Sequence, residues 1–136
     1  MCRPKVVGTE DPVAGIAILL WSADPERSER LATPFFHAAA AAAMDIPVET
    51  YFTVRSVQLL APGLAAALRP SEHHAKTGLD AMREAVAHGA RLHACSDALD
   101  AQGVDPQTPI AECHGRGGAV QFMMRAADRR RRTIVY

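Results

Sequence analysis

Ala90-Arg91-Leu92-His93-Ala94-Cys95-Ser96-Asp97-Ala98-Leu99-Asp100-Ala101-Gln102-Gly103 reads as a short buried strand that ends on a cysteine and passes at once into a helix. Ser96 suits the cap of that helix, Asp97 its first turn and Gly103 its C′ position. Cys95 is therefore expected at the C-terminal edge of a strand and beside a helix N-terminus. In an open α/β sheet that edge is where ligands bind. The unpaired N–H groups there favour an anion, and so a thiolate or a persulfide. A free cysteine is also a small apolar residue suited to a core. Chemistry alone leaves both roles open.

On either side of this stretch, strands and helices alternate. Gly15-Ile16-Ala17-Ile18-Leu19-Leu20-Trp21 is a continuous apolar run, as expected of a strand covered on both faces. Residues 26–44 are helical in composition. Thr33-Pro34 suits a restart as cap and first residue, after a turn or short helix at residues 25–31. The alanines from Ala38 to Ala43 have high helix propensity and little bulk, which permits close approach to the sheet or to another subunit. Phe35, Phe36 and Met44 lend that helix an apolar face.

Residues 47–54 form a second strand, and 55–60 a short helix near the same sheet edge. Residues 61–75 contain Pro62, Gly63, Pro70 and His73-His74, the composition of a mobile loop. Leu79, Met82 and Val86 recur at helical spacing before Gly89 closes their helix. Beyond the opening stretch, residues 110–113 read as a short strand or extended connection. His114 to Gly118 reads as a glycine-rich turn. A final helix follows with Val120, Met123, Met124 and Ala127 on one face, and then a strand at residues 132–136. Strands separated by helices imply a parallel sheet with helices on both faces.

A chain of 136 residues fits one domain, here residues 15–136 after a polar lead-in at residues 1–14. Fifteen basic and fifteen acidic residues balance, so no net field draws the chain to nucleic acid or membrane. Three cysteines without close pairing do not make a secreted disulfide framework. The first residues lack a signal-peptide pattern, and no apolar run approaches the ~20 residues of a membrane span. A soluble cytoplasmic domain is expected.

Other constellations have simpler readings. His93, Cys95, Cys113 and His114 are acceptable zinc ligands by type, but the usual CxxC spacing is absent and no metal is expected. A Cys95–Cys113 redox pair requires Cα atoms within about 7 Å. Gly115-Arg116-Gly117-Gly118 matches no phosphate-loop pattern. It reads as a turn whose amides and Arg116 face the thiol's edge, where they could hold an anionic sulfur. His73-His74 reads as a solvated pair and Cys2 as a terminal thiol. Arg129 to Arg132 reads as a helix C-terminus complemented by cations.

The order of residues 15–21, the alanine helix, residues 47–54 with Ser56-Val57-Gln58-Leu59-Leu60, and Gly89-x-x-Leu92-His93-Ala94-Cys95 resembles the DsrE/DsrF-like proteins, relatives of TusD. Gly103-Val104, Gly117-Gly118-Ala119 and Ala127-Asp128 fit the same pattern. The resemblance implies a three-layer α/β/α sandwich around a mainly parallel five-stranded sheet. It implies a homo-oligomer, trimer or hexamer, and a sulfur carrier that holds sulfane sulfur on Cys95 as a persulfide. Partners would be sulfur donor and acceptor proteins or small persulfides, with no cofactor. His93, Ser96, Cys113 and Arg116 are candidate helpers. Asp97 opposes an anion at Cys95 by its charge. A binding or scaffold oligomer with an inert buried Cys95 is the competing reading, and a Cys95–Cys113 thiol-redox protein a third.

Overall fold

A computed structural model describes residues 12–136; residues 1–11 of the expected lead-in, with Cys2, lie outside the described residues. Five strands, β1 (Gly15–Leu20), β2 (Val48–Phe52), β3 (Arg91–Ala94), β4 (Cys113–Arg116) and β5 (Arg131–Val135), form one sheet in the order β4-β3-β2-β1-β5. All four pairings are parallel. Helices α1 (Ala32–Ala43), α2 (Gly78–Ala87), α3 (Ser96–Ala101) and α4 (Ala119–Ala127) complete the layers. The fold is the expected three-layer α/β/α sandwich.

The two faces of the sheet are unequal. Ile18 and Leu20 of β1, Phe52 of β2 and Leu92 and Ala94 of β3 pack with Phe35, Ala38 and Ala42 of α1 and Met82 and Ala85 of α2. Phe35 and Phe52 stack with ring centroids 6.0 Å apart. The contacts on α1 recur as Phe35, Ala38, Ala39 and Ala42, so the alanines do form a close-packing face. Phe36 and Met44 instead remain exposed. The opposite face of the sheet carries α4, none of whose residues is fully buried. After Leu99, Gly117 is the only buried residue.

Two local expectations are corrected. Thr33 does not cap α1: the helix starts at Ala32 from Leu31, with no side-chain cap. Pro34 sits in the first turn, where a missing N–H removes no helical hydrogen bond. Residues 61–75 include a 3-10 turn at Ala65–Ala67 with Ala65 buried. Finally, β4 occupies Cys113–Arg116: only Cys113 falls within the strand expected at residues 110–113, His114 to Arg116 are strand where a glycine-rich turn is expected, and residues 111–112 form a turn.

That last strand forms against its propensity because a side chain completes its ladder. A bulge between Leu92 and His93 leaves His114 without a residue opposite. Its Nδ1 accepts the Leu92 N–H at 3.0 Å, in place of a main-chain carbonyl. Gly115 beside it takes φ +139°, which other residues rarely adopt.

Candidate functional site

Strand β3 delivers Cys95 to the C-terminal edge of the sheet. The Cys95 N–H donates to the Phe52 carbonyl at 3.0 Å, and its own carbonyl accepts the Leu99 N–H at 3.0 Å. Cys95 is therefore itself the N-cap of α3, one residue before the expected cap, and Ser96 is the first helical residue. Helix α3 ends as expected. Gly103 has φ +65°, its N–H donates to Asp100 and the Val104 N–H donates to Leu99, which satisfies the last carbonyls.

Cys95 lines a cleft of about 310 Å³. The ends of β1 and β2 contribute Leu19, Phe52 and Thr53, the β4–α4 turn Gly117 and Gly118, and α4 Ala119, Phe122 and Met123. Among the described residues, none that lines the cleft is charged. Immediately beyond Thr53, Val54 adopts φ +53°, a strained conformation for a β-branched residue. This strain turns the chain sharply from β2 into a 3-10 segment, Val54–Leu60, that buries Val57, Leu59 and Leu60. The Ser56 hydroxyl anchors the turn by donating to the Leu20 carbonyl at 2.6 Å.

The expected helpers separate into near and far. Arg116 ends β4 opposite Ala94, and its Nη1 lies 3.4 Å from the Ser96 hydroxyl. Both therefore stand at the edge that carries Cys95. Cys113 pairs with Leu92, three residues before Cys95. At about 3.3 Å per strand residue, roughly 10 Å of β3 separates the two cysteines' levels, beyond the ~7 Å that a disulfide spans. Both thiols are free. The cysteines and histidines weighed as zinc ligands are not gathered; among the described residues no group of three or more His, Cys, Asp or Glu forms a metal-binding set.

His93 is 7% exposed, stacks on Tyr51 with centroids 5.3 Å apart, and has no hydrogen-bond partner for either ring nitrogen among the described residues. Burial pushes its pKa down; Arg91, His114 and Arg125 act in the same direction, and Glu49 opposes them. The ring is thus kept neutral, and it makes no hydrogen bond to Cys95. Gly117 closes over it. A Cβ there would lie 2.8 Å from the His93 Cβ and 3.0 Å from Tyr51 Cε1.

A polar network behind the cleft escaped the reading of the sequence. The Tyr51 hydroxyl donates to Glu49 at 2.6 Å, and Gln121 Nε2 donates to the Tyr51 hydroxyl at 3.2 Å. Arg125 grips both Glu49 oxygens, at 2.8 and 3.2 Å. Burial pushes the Glu49 carboxyl up, but Tyr51 and Arg125 outweigh it and hold the pKa below the ordinary value. The available signal was period two: Glu49 and Tyr51 share one face of β2. This network ties α4 to the sheet and fixes Phe122, whose ring meets Tyr51 edge-on at 5.4 Å.

The outer side of α4 is apolar, with Val120 78%, Met123 60% and Met124 67% exposed. No helix of the described residues is long and apolar enough to cross a membrane.

A family model described as the DsrE/DsrF-like family matches residues 16–130. Comparison with curated proteins finds no match. Among solved structures, the chain is similar to the YchN protein from E. coli, at 14% identity and a TM-score of 0.70, over 90% of this chain and 99% of that one. It is also similar to MTH1491, a protein of unknown function from Methanobacterium thermoautotrophicum, at 18% identity and a TM-score of 0.60, over 89% and 97% of the two chains. These structures share the fold.

Proposed function

Because this chain belongs to the DsrE/DsrF-like family, we propose that it is a sulfur carrier whose Cys95 accepts sulfane sulfur as a persulfide and passes it to an acceptor thiol. Family membership supports a role related to sulfur relay. The observation that carries the finer reading is the place of Cys95, after the last residue of β3 and in a cleft open to a second reactant. The thiolate of Cys95 attacks the outer sulfur of a donor persulfide R–S–SH. The Sγ–S bond forms as the donor S–S bond breaks, and R–S⁻ leaves. An acceptor thiolate then repeats the exchange in the opposite sense. Sulfur changes hands without net oxidation, so the exchange needs no metal or organic cofactor.

Arg116, placed by Ser96, supplies a cation for the anionic persulfide. His93 acts as a neutral support for Gly117 and the cleft wall rather than as a base. Cys113 is too distant in register to resolve the persulfide. Donor and acceptor are proteins or small persulfides in a reducing cytoplasm. The uncovered apolar side of α4 favours a homo-oligomer, trimer or hexamer, in which that side packs on another copy. Light scattering that finds a monomer at micromolar concentration would count against this assembly.

The carrier reading is tested by intact mass after exposure to a persulfide donor, comparing wild type with Cys95→Ser. One added sulfur on the wild type, lost in the variant, is the expected result. An adduct retained by the variant would place the sulfur on Cys113 or Cys2 and overturn the role of Cys95; none on either protein would return the chain to the binding or scaffold reading.

A further inference from the structure

We propose that the Cys95 cleft binds the organic part of an uncharged, apolar, low-molecular-weight thiol that arrives as its hydropersulfide. This inference rests on the carrier reading and names the class of small donor that the site takes.

The lining decides the chemistry. Leu19, Phe52, Phe122 and Met123 present apolar side chains, and Thr53 supplies the only hydroxyl among the cleft residues. A tripeptide thiol such as glutathione carries two carboxylates and an ammonium group. No described side chain in the lining would pair with them; the uncapped α4 N-terminus at Gly118 and Ala119 offers amides for one carboxylate at most, and burying the remaining charges unpaired is costly. Arg116 stands outside the lining, beside Ser96. It is placed to meet the sulfur end of the reactant rather than the organic end.

The main chain argues against a peptide occupant. The Thr53 N–H already donates to Leu20, the Cys95 N–H to Phe52 and the Gly117 N–H to Ala94, at 3.2, 3.0 and 2.9 Å. Those amides are not free to pair with an added strand. A volume of about 310 Å³ stands at the low end for small-molecule sites and suits one ring-sized group. The wall is also preformed, because Phe122 is braced on Tyr51 and α4 is held by the Arg125–Glu49 pair. A ligand would spend little free energy on ordering it.

In the sulfur step, Cys95 takes the outer sulfur of R–S–SH and releases R–S⁻ while the apolar R group remains in the cleft. The test compares benzyl hydropersulfide, released in situ from a precursor, with glutathione hydropersulfide. Each rate of Cys95 sulfuration is read by mass spectrometry and normalised to the same donor's rate with free cysteine. The benzyl donor is expected to be favoured by at least about tenfold, from partial burial of its ring. Benzyl methyl sulfide, which cannot transfer sulfur, is expected to slow iodoacetamide alkylation of Cys95 saturably and to leave Cys113 unaffected. Met123→Glu is expected to weaken both effects, and light scattering alongside wild type shows whether the loss comes from the cleft, at unchanged assembly, or from a changed assembly, which would overturn this use of the variant.

Equal normalised rates without protection would overturn the apolar cleft and leave the carrier reading standing. Protection without sulfuration by either donor would sustain the cleft and sink the carrier reading. Alkylation that slows with protein concentration, and not with benzyl methyl sulfide, would assign the cleft to a second copy and overturn the proposal.

Discussion

Gly117→Ala tests whether the wall of the Cys95 cleft is as tightly packed as its geometry indicates. Gly117 does not need a positive φ. An alanine would therefore stabilise the protein by about 0.4–1 kcal/mol through the unfolded chain, were space available. Space is absent: the new methyl would meet the His93 Cβ at 2.8 Å, Tyr51 Cε1 at 3.0 Å and the His93 Cγ at 3.2 Å. Favourable carbon contacts fall at about 3.5–4.0 Å. The His93 Cβ cannot swing away, because it is fixed to the backbone of β3. Gly117 cannot easily rise either, since its N–H is tied to the Ala94 carbonyl at 2.9 Å. Overpacking of this kind costs about 1–3 kcal/mol. A net loss of about 1–2 kcal/mol is expected, read as a lower urea midpoint at unchanged slope. Gly118→Ala, with nothing within 4 Å of its added methyl, reports separately the cost of alanine at the α4 N-cap. A Gly117→Ala protein as stable as wild type would refute the close packing of His93 beneath the cleft.

Three further outcomes follow from other parts of the fold. Burial lowers the pKa of His93, and burial with Arg91 lowers that of His114, whose Nδ1 must stay unprotonated to accept the Leu92 N–H. A lowered imidazole binds its proton less readily folded than unfolded. Its contribution is therefore complete above about pH 6.5 and is lost as pH falls through the folded values. Urea midpoints should be level from pH 7 to 8 and fall by pH 5.5, with a shallower fall in His114→Asn; a flat profile would contradict both assignments. Val54→Gly relieves the left-handed strain at φ +53° and should raise stability by about 1 kcal/mol, unless the strain is absent and glycine's entropy destabilises instead. Glu49→Gln removes the charge that holds Arg125, at a cost of about 1–2 kcal/mol, and should speed hydrogen exchange in α4 more than in β1. Equal acceleration in both elements would deny the network its role in holding α4.

Much of the fold was legible because β1 to β3 obey local rules: apolar runs, helical spacing and Gly89 or Gly103 at helix ends. Cys95 was placed at the right edge for the same reason. The cap was misread by one residue because Ser96 has the better capping side chain, whereas the Cys95 carbonyl already accepts from Leu99. Most of strand β4 looks like a turn in the sequence, because Gly115 disfavours a strand and no local pattern shows an imidazole completing a ladder. Arg125 and Glu49 lie 76 residues apart in sequence, so neither announces the other. The cleft was hidden likewise, since Leu19, Phe52, Cys95 and Phe122 converge from four separate elements.

The pairing of β1 with β5 has a consequence on the ribosome. The run Gly15-Ile16-Ala17-Ile18-Leu19-Leu20 is made early, yet one of its edges stays open until Arg131 to Val135 emerge. At translation speeds of about 5–20 residues per second, that wait lasts roughly ten seconds. Through it, the most apolar strand in the chain presents unpaired N–H and C=O groups to every other nascent copy. The arginines of β5 carry charge beside that strand once they arrive and then close its edge. A chain stopped before Arg131 should be recovered in aggregates, while the full chain, synthesised at the same rate, stays in solution.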